Sequence, residues 1–168
     1  MIRIELSGVP QGKGRGRAVN TPAGVRVYTP KKTVTYESQL RYAATQVMAG
    51  RAPLQGPVRV VMTMRFPVPA SWSKKNQAAA LAGQIRPTIK PDWDNGAKLC
   101  DAINMVVFLD DKQVVDGRVI KLYSERPGLT IEVESAFIEI EEKPLSSDPR
   151  TQSFALPRIT NPKQLDML

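Results

Sequence analysis

The chain has 168 residues, a net charge of +8, one cysteine and no histidine. A single cysteine excludes an intrachain disulfide framework and a cysteine-built zinc site. The missing imidazole excludes Ser-His-Asp and Cys-His nucleophile systems, histidine metal ligands and histidine general bases, so hydrolytic chemistry here must run on carboxylates, lysine, hydroxyls and water. Hydrophobic residues make up 42% of the chain, enough for one domain with a core. No apolar run approaches the roughly 20 residues of a membrane-spanning helix. The opening Met1-Ile2-Arg3-Ile4-Glu5-Leu6 reads as a strand and not as a signal peptide, and a cytoplasmic protein without membrane contact is expected.

In chain order, residues 2–6 alternate as a half-buried strand does. Residues 8–26 follow as a Gly/Pro-rich loop with Lys13, Arg15 and Arg17 at alternate positions. Glycines let the backbone approach a phosphate and the cations attract it; a mobile surface loop has the same composition. Val25–Tyr28 is a candidate short strand. Thr33 is the expected N-cap of a helix reaching Met48, with Tyr36, Leu40, Ala43, Ala44 and Val47 on its apolar face and Gly50 ending it. Val58, Val60, Met62, Met64 and Phe66 alternate strictly and predict a strand that Pro67 and Pro69 stop. Ser71-Trp72-Ser73 opens a helix through Ala82. Residues 94–104 read as helical, and 105–109 as a short apolar run. Residues 113–123 and 129–139 read as strands, and the turn signal Arg126-Pro127-Gly128 predicts that they pair as an antiparallel hairpin. The proline-dotted, charge-balanced segment 141–168 is expected to be a flexible tail outside a domain spanning 1–140.

Charge is distributed in blocks. Residues 1–91 carry 15 Lys+Arg against 2 Asp+Glu, and residues 92–140 carry 5 against 10. A basic surface of this size suits a polyanion, most often nucleic acid. The acidic block opens on Lys90-Pro91-Asp92-Trp93-Asp94-Asn95 and runs through Lys98 and Asp101-Ala102-Ile103-Asn104 to Asp110-Asp111-Lys112-Gln113. In an extended segment Asp92 and Asp94 point to one side. Two close carboxylates are costly without a cation or a proton between them, and carboxylate and water oxygens suit Mg²⁺ or Mn²⁺. A third carboxylate from Asp110 or Asp111 would leave open positions for water and a phosphate oxygen. Asp94 also reads as a helix N-cap. Lys98, four residues on, is either its surface ion-pair partner or a cation for a scissile phosphate. An EF-hand reading from Asp92 fails, because glycine falls at the fifth position and Ile103 at the twelfth. Trp93, between the acids, is expected to face away from them as a core anchor. Trp72 and Phe108 are expected in the core, and Cys100 as a small buried hydrophobe.

These residues, together with Gly8-Val9-Pro10, Tyr28-Thr29-Pro30-Lys31-Lys32-Thr33, Tyr36-Glu37, Phe66-Pro67-Val68-Pro69, Ser71-Trp72-Ser73-Lys74-Lys75 and Asp111-Lys112-Gln113-Val114-Val115, resemble the RusA-type Holliday junction resolvases, crossover junction endodeoxyribonucleases of phage and prophage. The likeness covers nearly all of residues 2–140. It implies a homodimeric α/β (α+β) domain, a mixed sheet packed by helices, that binds four-way DNA junctions and nicks two strands symmetrically with Mg²⁺ or Mn²⁺. By position it makes Asp92, Asp94 and Asp111 the metal ligands and Lys98 the essential lysine, while Lys13, Arg15, Arg17, Lys31 and Lys32 are the candidates for phosphate contact. One residue fewer separates Lys98 from Asp101 than is usual in the family. Since one residue turns an α-helix by about 100°, either Lys98 or Asp101 is expected to sit differently. That shortening keeps open a junction-binding protein of the same fold with a degenerate metal site. A carboxylate-dependent transferase using a nucleotide-linked donor is the further alternative.

Overall fold

The computed structural model describes residues 1–136. Positions 137–139 of the expected last strand and the segment 141–168 lie outside the described residues. The order of elements is β1 (Ile2–Ser7), β2 (Arg17–Thr21), β3 (Gly24–Tyr28), α1 (Lys31–Met48), β4 (Val58–Phe66), α2 (Lys74–Leu81), α3 (Trp93–Ala97), β5 (Val114–Tyr123) and β6 (Gly128–Ser135). A 3-10 helix, Lys98–Ile103, continues α3, and a 3-10 turn, Asp111–Gln113, leads into β5.

The main sheet has the order β1-β6-β4-β5. β6 runs antiparallel to both β1 and β4, and β5 runs parallel to β4. This is the expected mixed sheet of an α+β domain, but it corrects the expected hairpin. β5 and β6 do not pair with each other, because β4 lies between them and pairs with both. The chain from Ser124 to Pro127 crosses the end of β4, where the Ser124 N–H donates to the Phe66 carbonyl at 2.9 Å. A local turn signal reports that the chain reverses, not which strand lies beside it.

β4 is the spine of the sheet. Val58, Val60, Met62, Met64 and Phe66 are all buried, as the strict alternation requires. They meet Ile4, Ile131, Val133 and Leu40 in one core. The intervening positions of the sheet carry charge: Arg59 bridges Asp116 (2.7 Å) and Glu134 (3.3 Å), and Arg3 bridges Glu5 (2.7 Å) and Glu132 (3.1 Å). α1 packs against β1. It starts at Lys31, two residues before the expected cap, with Pro30 at the N-cap. Thr33 is instead buried in the first turn, where its hydroxyl accepts from the Gly14 N–H at 3.2 Å. α2 opens within the expected Ser71-Trp72-Ser73 stretch, capped by Ser73, whose side chain accepts from the Asn76 N–H.

The stretch expected as one loop, 8–26, divides. Residues 8–16 are irregular, whereas β2 and β3 form a separate antiparallel hairpin joining Arg17 to Tyr28. The hairpin is exposed along nearly its whole length, so the inside–outside alternation that marks a half-buried strand had no burial to reflect. No helix among the described residues is long and apolar enough to cross a membrane.

Candidate functional site

Three segments meet at the site: the glycine loop 8–16, the stretch from Ile89 to Ile103, and the turn at 110–113. The second is held from beneath. Lys121 on β5 donates to the carbonyls of Ile89 and of Pro91, the latter at 3.1 Å. α3 then lies directly on the sheet at Gly96, where a Cβ would stand 2.9 Å from Met64 Cε and 3.3 Å from Val119 Cγ1. Only glycine permits that approach without displacing its neighbours. Asp92 takes the N-cap position of α3 and Asp94 its first turn.

This corrects the extended geometry expected of Asp92 and Asp94. The first turn of a helix, unlike a strand, does not place i and i+2 on one side. Asp92 lines a cavity of 670 Å³ beneath the glycine loop, with Lys13, Arg15, Lys90 and Asn95. Asp94 turns to Lys98, whose Nζ donates to it at 3.0 Å across one turn of helix. That bond holds the Asp94 carboxyl below the usual carboxylate range, and the Asn95 backbone N–H and the charges of Lys98 and Arg15 act the same way against some desolvation. Trp93 does not anchor the core. It is 62% exposed at the rim of a second cavity of 380 Å³, because the inward-facing position of α3 belongs to Gly96.

Lys98, Asp101 and Asp111 share the wall of this second cavity with Arg118 and an apolar floor from Val60, Met62 and Val119. That Lys98 and Asp101 line one cavity despite the shortened spacing has a geometric reason. Four α-helical residues advance a chain by about 6 Å and turn it by about 400°. Three residues of 3-10 helix also advance it by about 6 Å and turn it by about 360°. Winding tightens to 3-10 from Lys98 onward, and three such residues bring Lys98 and Asp101 to the wall of one cavity.

The two acids of the Asp110-Asp111 pair divide their work. Asp110 caps the turn: its carboxylate accepts from the Lys112 N–H at 3.0 Å, and the Gln113 side chain accepts from the Asp110 N–H at 3.1 Å, a reciprocal capping box. The Lys112 N–H holds the Asp110 carboxyl low. Gln113 also donates to the carbonyls of Leu54 and Gly56, at 3.2 and 2.7 Å, which fixes the turn to the body of the domain. Asp111 is thereby left facing the cavity. Burial, then the neighbouring Asp110 and Asp101, push its carboxyl above the usual range. Cys100, packed against the core, feels the same field: burial and the charges of Asp101 and Asp111 push its thiol up to about 12. Phe108 is fully buried and Trp72 packs on the core edge-to-face with Tyr123, both as expected.

The glycine loop packs against the segment that carries Asp92 and Asp94. A Cβ on Gly12 would overlap the Pro91 side chain and stand 3.2 Å from Asn95. The Lys13 N–H donates to the Asn95 carbonyl at 2.8 Å, and Lys13 Nζ donates to Asp101 at 2.5 Å. Among the described residues, Arg15, Arg17, Lys31 and Lys32 make no such ion pair. Lys31 and Lys32 line a groove with Gln11 and Tyr36, and Arg17 begins the exposed hairpin.

The family model described as Endodeoxyribonuclease RusA matches residues 7–134. The chain belongs to the RusA endodeoxyribonuclease family. YqaN of Bacillus subtilis (strain 168) is 35% identical to it over 133 residues, which cover 77% of this chain and 93% of the relative. The matched residues run from the glycine loop into β6 and include Asp92, Asp94, Lys98, Asp101 and Asp111. Among the described residues, no three His, Cys, Asp or Glu side chains gather closely enough to hold a metal ion together. The donor chemistry nevertheless suits a hard divalent cation. Asp101 and Asp111 set two carboxylates against each other, with Asp94 one lysine away. Sequence reasoning marked Asp101 only by its short spacing from Lys98, and it passed over Gln113, whose Asp-x-x-Gln spacing is the signature of a capping box.

Proposed function

We propose that the chain resolves four-way DNA junctions by metal-dependent hydrolysis, nicking two opposed strands as a homodimer. The observation that carries this reading is the meeting of Lys98, Asp101 and Asp111 at one cavity, with Asp94 held by Lys98, in a chain of an endodeoxyribonuclease family. Asp92, Asp94 and Asp111 are the ligands the family resemblance marks for Mg²⁺, with Mn²⁺ as a substitute; Asp92 and Asp111 line different cavities and Asp94 faces Lys98, so the three would have to draw together on the ion to hold it. Bound there, the cation would supply a more acidic water and would neutralise charge on the phosphodiester. Lys98 is exposed and sits within reach of a phosphate at the cavity mouth, where its ammonium can stabilise charge as it develops. Arg15, Arg17, Lys31 and Lys32 suit the role of phosphate contacts, since the described residues supply them with no carboxylate partner.

The test is a synthetic four-way junction incubated with the purified protein in Mg²⁺ and in EDTA. Nicking in Mg²⁺ that EDTA abolishes is the expected result. Binding without nicking in either Mg²⁺ or Mn²⁺ would favour a junction-binding protein instead.

A further inference from the structure

Lys13 stands out among the basic residues of the glycine loop. Arg15 is exposed, but Lys13 is drawn inward until its side chain is only 32% exposed. Its ammonium lies between Asp101 at 2.5 Å and Glu37 of α1 at 3.5 Å. The Glu37 oxygen facing it is buried and makes no hydrogen bond among the described residues. Asp101 in turn shares the cavity wall with Asp111. Glu37, Asp101 and Asp111 thus form a row of three carboxylates in which Lys13 is the cation between the first two. The backbone beside it is fixed too, by the Lys13 N–H on Asn95 and by the contact of Gly12 with Pro91. One short loop therefore touches the segment bearing Asp92 and Asp94 through its backbone and the Asp101–Asp111 wall through its side chain.

We propose that Lys13 is a positioning residue of the acidic site: its ion pair with Asp101 holds that carboxylate against Asp111, and Lys13 is not one of the phosphate contacts. Resting on the nuclease reading above, this assigns Asp101 a place in the site beside the three acids that the family resemblance marks. Without the ammonium, two half-buried carboxylates are left without their cation. Asp101 then gains by turning out to water, which strips Asp111 of the neighbour that shapes its field. The raised titration of the Lys13 ammonium beside Asp101 agrees with this pairing. Two carboxylates already face the three donors of the Lys13 ammonium, so a phosphate recruiting it would compete with both.

Lys13→Met, Lys13→Arg, Asp101→Asn and the Lys13→Met/Asp101→Asn double variant separate the two roles. The readouts are junction affinity against salt, Mn²⁺ affinity of the DNA-free protein by calorimetry, and single-turnover nicking at saturating protein. For Lys13→Met we expect an unchanged salt slope, about tenfold weaker Mn²⁺ binding and at least tenfold slower nicking. Lys13→Arg should recover most of the loss, and the double variant should be no worse than the poorer single one. A lost phosphate contact instead lowers the salt slope by about 0.9. That drop, with Mn²⁺ affinity and saturated nicking intact, would overturn the proposal. If Lys13→Met does not fold, Lys13→Arg against Asp101→Asn carries the same comparison. If the unmodified protein nicks no branched DNA, the nuclease reading fails, while the salt slope and Mn²⁺ affinity still decide the role of Lys13.

Discussion

Burial and two neighbouring negative charges act on Asp111 in one direction, raising its carboxyl above the usual range, whereas hydrogen bonds and opposite charges lower Asp94. The signs lead to opposite effects on stability. A raised carboxyl means that the ionised Asp111 costs the fold stability at neutral pH, a cost relieved as pH falls through its folded titration. Asp111→Asn is therefore expected to raise the melting temperature measured in EDTA. Asp111 is exposed enough for solvent screening to limit the gain to a few tenths of a kcal/mol, about 1–2 °C, while nicking falls by about 100-fold or more. Calorimetry and a nicking assay on the same preparation check both halves. For Asp94 the stabilising bond to Lys98 is present at neutral pH and is lost as pH falls through the depressed titration of the carboxyl. Asp94→Asn should leave the fold and junction binding intact and nearly abolish nicking, as native gel shifts beside the cleavage assay would show. Nicking at the unmodified rate would remove Asp94 from the proposed ligands. These residues were legible in the sequence as types and positions. The residue pattern alone left Asp110 and Asp111 open and the family resemblance marked Asp111; the capping box around Gln113 supplies the physical reason, since it occupies Asp110 and leaves Asp111 at the cavity.

The glycine loop shows how much an element's role depends on what it touches. From composition alone it equally suits a phosphate cradle and a mobile surface loop, but Gly12 against Pro91 and Gly14 against Thr33 make it a packed strut. Gly12→Ala is expected to leave the sheet folded, since no core side chain is involved, and to shift the 91–95 segment. A displacement of about 1 Å at reacting groups costs on the order of 100-fold in rate, so nicking should drop at least tenfold with little change in far-ultraviolet circular dichroism. Full activity would mean that the loop does not position the acids. β4 was legible because burial on one face imposes alternation. The β2–β3 hairpin was legible only at Val25–Tyr28, and the order of β5 and β6 about β4 was not legible at all, because strand neighbours are set by non-local pairing. The 3-10 winding of 98–103 escaped as well: no residue in the stretch signals it, and Leu99 and Ile103 are fully buried as an α-helical reading would also have them.

At the scale of the molecule, the basic first half supplies the loop and the start of α1, and the acidic block supplies the cavity, so sequence halves of opposite charge meet at one site. The family match stops at residue 134. The segment 141–168 is charge-balanced and rich in proline. A chain ending near Glu142 is therefore expected to fold and to nick at close to the full rate; a folded but inactive truncation would make the segment part of the site or of the dimer. A single proposed active site among the described residues of each chain also bears on assembly. A four-way junction is resolved by cutting two opposed strands, so two chains related by a two-fold axis are needed to cut both, and light scattering at micromolar concentration should give the mass of a dimer. The most direct measurement is sequencing-gel mapping of every strand of a synthetic four-way junction after incubation in Mg²⁺, beside a linear duplex of equal length. Paired nicks at symmetry-related positions on two opposed strands, with the duplex left intact, are the expected result. Equal cutting of the duplex, or nicks scattered without symmetry, would contradict the assignment of junction resolution.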